Sequence, residues 1–196
     1  IQKRNDLDTA AVDDVVMGVV SPIGEQGSVI AKVAALKAGW DWRCSGVQLN
    51  RFCASGLEAV NMAAMKVRSG WEDLVVAGGV ESMSRAPWVL PKSDTPLDPK
   101  LSLQQTTVGW RMINSQMPVE WTASLGESAE KVGERYAISR AAQDEWAVRS
   151  HQLADAAWNK GVNGYVFEVN GVSKDECIRP DSSTEKLAKL PSAFSK

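Results

Sequence analysis

The sequence predicts an α/β fold built on a mostly parallel sheet. Residues 15–19 and 73–79 are short β-branched runs that read as buried strands. Val47 and Leu49 alternate with Gln48 and Asn50, which is strand spacing. Between these runs lie two stretches of helical spacing, residues 29–38 and the chain from Ala54 onward. Parallel neighbours need such a crossover between them, and strand–helix–strand–helix–strand order supplies it.

Taken in order, residues 12–20 are rich in β-branched side chains and end at Ser21-Pro22, with Val15 to Val19 as the buried strand. Gly24 and Gly27 flank a loop. Ile30, Val33, Ala34 and Lys37 mark one face of the first helix, which stops at Gly39. Residues 40–46 connect to the second strand. Leu57, Val60, Ala64 and Val67 then recur on one face of the second helix, expected to run to Ser69-Gly70. The third strand ends in Gly78-Gly79, which suits close backbone approach. A doubly wound sheet places its sites at the carboxyl ends of such strands.

Composition then shifts. Pro87, Pro91, Pro96 and Pro99 mark a loop or boundary within residues 84–100, so two domains are expected, 1–90 and 91–196. The second reads as mainly helical. Ser124 with Glu127 three residues on fits a capping box, and Ala129, Val132 and Tyr136 share a face behind it. Ser139 caps a longer helix to about residue 157, with Ala142, Trp146, Leu153 and Ala157 on a common face. A strand is expected over residues 165–169.

Composition narrows the chemistry. A hydrophobic content of 44% and a charged content of 23% fit an ordinary globular chain. The net charge of −2, with no basic cluster, argues against nucleic acid or an anionic membrane as partner. No apolar run reaches the length of a membrane span. Cys44, Cys53 and Cys177 form no C-x-x-C pair, and His151 is the single histidine, so no zinc-ligand spacing is present. An odd cysteine count without a disulfide framework fits a reducing, cytoplasmic setting.

Cys53 is the candidate nucleophile. It falls at the mouth of the second helix, where free N–H groups and the helix dipole favour an anion. Local pattern leaves a second reading equally open, that of a small buried apolar residue. Cys44 reads as an incidental packed or exposed thiol. His151 lies mid-helix and reads as packed or partly exposed rather than as a base for Cys53. A cysteine hydrolase using that pair remains an alternative, and it requires the two side chains within hydrogen-bond reach.

The segment Asn-Arg-Phe-Cys-Ala-Ser-Gly-Leu-Glu-Ala-Val (50–60) resembles the nucleophile segment of the thiolase family, the acetyl-CoA acetyltransferases and 3-ketoacyl-CoA thiolases. Val-Val-Ala-Gly-Gly-Val-Glu-Ser-Met-Ser (75–84) resembles that family's next strand and turn. Further matches are Gly-Glu-Ser-Ala-Glu (126–130), Ser-Arg-Ala-Ala-Gln-Asp (139–144), Ile-Arg-Pro-Asp (178–181) and Leu-Ala-Lys-Leu (187–190).

The resemblance implies the N-terminal half of a thiolase-like fold plus a helical insertion that holds coenzyme A. It implies that Cys53 carries the acyl group between 3-oxoacyl-CoA or acetyl-CoA and coenzyme A. Coenzyme A is then a substrate, with no permanently bound cofactor. The resemblance places Arg179 at the nucleotide end of coenzyme A, where a planar guanidinium meets phosphates and stacks on adenine. Ser124 and Leu125 stand where some members carry His-Met along the acyl and pantetheine pocket, which leaves acyl specificity open. Family members draw their acid and base from a C-terminal half, including a Gly-His-Pro histidine. Ile1 to Asn5 read as the middle of an element, so both ends are expected to be truncated and these 196 residues alone inactive. A homodimer or homotetramer is implied for the parent protein, with residues 47–50 able to pair across a two-fold. The alternative function is a non-catalytic module that binds coenzyme A or acyl-CoA.

Overall fold

The computed structural model describes residues 1–93, 95–97, 100–107, 109–110 and 112–194. The chain forms two compact units, residues 1–116 and 117–196. The proline-rich stretch therefore falls inside the first unit, which runs on past the boundary expected at residue 90. Its Pro99 lies outside the described residues.

The first unit opens with a short helix α1 (Gln2–Asn5) and is built on β1 (Asp14–Gly18), α2 (Ile30–Lys37), β2 (Ser45–Leu49), α3 (Ser55–Arg68) and β3 (Val75–Gly79). The strands are parallel in the order β2-β1-β3, with Gly18 opposite both Leu49 and Gly79. The chain steps from β1 to one side, then returns across β1 to the other. Crossovers of one hand therefore lay α2 and α3 on opposite faces. Val12, Val15, Ala31, Ala35 and Cys44 form the core on the α2 face. Val16, Ala59 and Ala63 form it on the α3 face. A small antiparallel ribbon, β4 (Trp88–Val89) with β5 (Gln104–Gln105), completes the unit.

The helices bury faces other than those the sequence pattern predicts. On α2 the buried residues are Ala31 and Ala35, while Val33 is 47% exposed. On α3 they are Ser55, Ala59 and Ala63, while Leu57 is 66% exposed. The cause is the closeness of the layers. A Cβ on Gly46 would stand 2.5 Å from the Lys32 amide nitrogen, and one on Gly18 would stand 2.5 Å from the Ser55 carbonyl carbon. Only alanine and serine fit beneath helices seated this close, so the larger aliphatic side chains turn outward. Val60, Ala64 and Val67 of α3 thus share an open apolar surface with Val75 and Ala77 of β3.

At the opposite end of the sheet from Cys53, Lys66 Nζ bonds Asp14 Oδ2 at 2.6 Å and Glu72 Oε1 at 3.0 Å. Asp14 is only 4% exposed, so it depends on this cation. The Asp14 hydrogen bond, then that of Glu72, lifts the Lys66 ammonium above its ordinary range against the effect of burial. A raised lysine contributes stability in full below its unfolded value and loses it as pH rises through the folded one. Unfolding midpoints should hold steady from neutrality to about pH 10 and fall above it. Lys66→Met should cost about 2–3 kcal/mol at neutral pH by stranding Asp14. Denaturant unfolding of both proteins across that range is the check, and a Lys66→Met midpoint equal to the parent's would refute the dependence.

The second unit holds α4 (Leu125–Arg135), α5 (Arg140–Asn159) and α6 (Thr184–Leu187). Ser124 and Glu127 close the capping box in both directions. Ser139 accepts the Ala142 N–H at the start of α5. Arg140 pairs with Asp144 one turn on and donates to the Leu187 and Leu190 carbonyls that end α6. The strand expected over 165–169 does not form. Only an isolated bridge joins Val169 to Val172. The expected α5 face is also shifted: Trp146 is 68% and Leu153 55% exposed, while Ala147, Val148, His151 and Ala154 are half-buried. No described residue of this unit is fully buried. Among the described residues no helix is long and apolar enough to cross a membrane.

Candidate active site

Cys53 lies where the chain leaves β2 and turns into α3, at the carboxyl edge of the sheet. The thiol is exposed. The turn is held by short-range bonds. Asn50 Oδ1 accepts the Phe52 N–H at 2.8 Å, and the Ser55 hydroxyl accepts the Arg51 N–H at 2.8 Å while donating to the Phe52 carbonyl at 2.6 Å. Phe52 itself has φ of 48°, a left-handed conformation costly for a bulky residue. Such strain persists only where surrounding contacts over-determine it, and it clusters at functional sites. Here Ser55, 4% exposed, pins the turn from below.

The Phe52 ring packs on Trp110, with centroids 5.0 Å apart and planes inclined at 50°. Arg51 reaches Glu58 at 3.1 Å along the outside of α3. The rim beside the turn is also ordered. Asn50 Nδ2 donates to the Val20 carbonyl at 3.1 Å, and Glu81 Oε2 accepts the Val20 N–H at 2.7 Å. Burial pushes the Glu81 carboxyl up, but the Val20 N–H and the Gln26 amide outweigh it and hold it below the usual range.

Cys44 is fully buried, and burial pushes its thiol up, which makes it a packing residue. His151 sits half-buried in the second unit, where its Nδ1 accepts the Arg179 N–H at 3.2 Å. The Arg179 guanidinium donates to the Glu176 carbonyl at 2.7 Å. Ser124 spends its hydroxyl on the α4 cap, and Leu125 is 81% exposed. Ser124 also lines a surface groove with Val119, Thr122, Ala123, Glu127 and Lys131. Among the described residues no group of three histidine, cysteine or carboxylate side chains is placed to hold a metal ion.

The family model described as "Thiolase, N-terminal domain" matches residues 1–196. The chain belongs to the thiolase family. A beta-ketoadipyl-CoA thiolase of Pseudomonas knackmussii is 39% identical over 97% of this chain and 50% of its own length. The 3-oxoadipyl-CoA/3-oxo-5,6-dehydrosuberyl-CoA thiolase of Escherichia coli is 38% identical over 96% of this chain and 50% of its own. The crystal structure of the Bacillus anthracis acetyl-CoA acetyltransferase superposes with a TM-score of 0.81 at 33% identity, covering all of this chain and 50% of that one. The chain thus spans about half the length of the thiolases it matches. The α/β expectation, with its parallel sheet and helices, holds for this thiolase N-terminal domain.

Sequence reasoning missed Ser55, Trp110 and Glu81 as parts of this site. Ser55 and Glu81 lie inside the two quoted motifs and could have been marked there. Trp110 carries no local signal. Gly56, one residue past Ser55, faces open space. Gly56→Ala should therefore raise stability by up to about 1 kcal/mol through helix propensity. A thermal melt decides it, and a lowered midpoint would mean that the space is not free.

Proposed function

We propose that Cys53 is the acyl carrier of a thiolase reaction. The thiolate attacks the keto carbonyl of a 3-oxoacyl-CoA. The carbon–carbon bond breaks, and acetyl-CoA leaves as an enolate that takes up a proton. A second coenzyme A then takes the acyl group from Cys53 and frees the sulfur. Thioester is exchanged for thioester, so little free energy separates the states. The observation that carries this reading is the exposed thiol on a constrained strand-to-helix turn. The names of the relatives support a 3-oxoacyl-CoA or acetyl-CoA substrate.

Arg179, Ser124 and Leu125 are proposed to contact coenzyme A, within a helical insertion domain formed by the second part of the chain. The acid and base of the reaction are proposed to come from residues outside these 196, so this stretch alone should accept an acyl group without turning over. Among the described residues no strand pairs with the outer edge of β2, which supports assembly of the parent protein as a homodimer or homotetramer. A cytoplasmic setting, in fatty-acid or related acyl-CoA metabolism, fits the free thiols.

Incubation with acetyl-CoA followed by peptide mass spectrometry tests the central step. One acetyl group should appear on Cys53 and none on Cys44 or Cys177. Binding of acetyl-CoA without acylation would instead make the chain a non-catalytic coenzyme A module.

A further inference from the structure

A continuous run of hydrogen bonds leads from Glu81, on the loop after β3, to the residue before Cys53. Glu81 Oε2 accepts the N–H of Val20 at 2.7 Å and that of Ser21 at 3.3 Å. Its Oε1 accepts from Gln26 Nε2 at 2.6 Å. Gln26, 7% exposed, also donates to the Ser21 carbonyl at 2.8 Å and accepts the Ser82 N–H at 2.8 Å. The loops after β1 and β3 are thereby tied across the carboxyl edge of the sheet. The crevice between such strands is where open α/β sheets commonly receive ligands, and here the chain's own carboxylate occupies it.

The peptide between Val20 and Ser21 continues the run. Its carbonyl accepts Asn50 Nδ2 at 3.1 Å, and Asn50 Oδ1 accepts the Phe52 N–H at 2.8 Å. The amide of Asn50 is thus committed at both ends, which fixes its orientation. Phe52 is the left-handed residue that directs the chain into α3 and sets Cys53 at its mouth. The Val20–Ser21 peptide is held from both sides, by the Glu81 carboxylate at the Ser21 N–H and by the Asn50 amide at the Val20 carbonyl. A charged acceptor strengthens the Glu81 bonds to Val20 and Ser21.

We propose that Glu81 is a positioning residue for Cys53, acting through the backbone of Val20 and Ser21 and the Asn50 side chain on the turn at Phe52. Gln26 keeps the carboxylate aimed at Val20. The role rests on the reading of Cys53 as the acyl carrier. Glu81 touches no reacting atom. It sets the sulfur's position against the N–H groups at the start of α3.

The three cysteines make the test internal to one molecule. Cys53 is the site, exposed Cys177 is a reference thiol in the other unit, and buried Cys44 reports unfolding. The full chain is labelled with iodoacetamide at neutral pH, and each cysteine is followed by peptide mass spectrometry. In the parent chain Cys53 should react faster than Cys177. A parent Cys53 no faster than Cys177 would remove the acyl-carrier reading itself. Glu81→Gln should lower the Cys53-to-Cys177 rate ratio about fivefold, the scale of one such hydrogen bond, with Cys44 still protected. Asn50→Ala should lower it similarly, and the double variant no further, because the two act in series. A parent that reacts fast with an unchanged ratio in Glu81→Gln, or single effects that multiply, would overturn the relay alone. If Glu81→Gln exposes Cys44, Asn50→Asp decides, since it keeps the acceptor for Phe52 and loses the donor to Val20. The ratio should fall there with Cys44 protected; no fall, or exposure of Cys44 again, overturns the proposal.

Discussion

Gly18→Ala lowers the stability of the first unit by about 3 kcal/mol and slows modification of Cys53 in the molecules that stay folded. The added methyl would stand 2.5 Å from the Ser55 carbonyl carbon, 2.6 Å from its oxygen and 2.8 Å from the Gly56 nitrogen. All three are backbone atoms, so no side chain can rotate away. The start of α3 must lift off the sheet. Overpacking of a well-packed layer typically costs about 1–3 kcal/mol, and a backbone neighbour puts this case at the upper end. The same displacement strains Ser55, which pins the turn before Cys53. Gly46→Ala is the matched control. It meets the Lys32 amide nitrogen, also at 2.5 Å, but beneath α2 and away from the thiol. Both variants should unfold at lower denaturant, while only Gly18→Ala should slow Cys53. Unchanged midpoints in both would show that the helices are not seated as closely as the glycines imply.

Cys53→Ser abolishes acylation of the chain, with the rate of transfer from acetyl-CoA falling roughly 10⁴-fold or more, as when other enzymes lose their nucleophile. The variant differs from the parent by one atom, so packing of the turn is nearly preserved. Two properties of sulfur are lost. A serine hydroxyl carries negligible alkoxide at neutral pH, whereas a thiol yields the more reactive anion. An oxygen ester is also more stable than a thioester, so any acyl group that did transfer would not return to coenzyme A. Transfer of label from acetyl-CoA to the chain measures the loss. Labelling at the parent rate in Cys53→Ser would mean that another group carries the acyl chain.

The strand, turn and helix around Cys53 were legible in the sequence, and the structure places β2, α3 and the exposed thiol where the alternation at Val47–Leu49 and the small residues after it indicate. The capping box at Ser124 was equally plain, because both its bonds lie within one turn. The buried helix faces were not. Periodicity singled out Leu57, Val60 and Val67, yet the layer spacing selects Ser55, Ala59 and Ala63. The strand expected over residues 165–169 failed because β propensity without a paired neighbour does not make a sheet.

By itself the sequence determined the three parallel strands and the main helices between and after them, where the cysteine falls among them, and to which family the chain belongs. Those follow from bonds made within a few residues and from motifs read along the chain. Only the tertiary structure decided which faces meet and what holds the turn. Val20 joins Asn50 across 30 residues and Glu81 across 61. Contacts that distant in the chain have no local pattern to betray them. They exist because parallel strands bring their carboxyl ends to one edge, where backbone groups freed from the sheet must find partners.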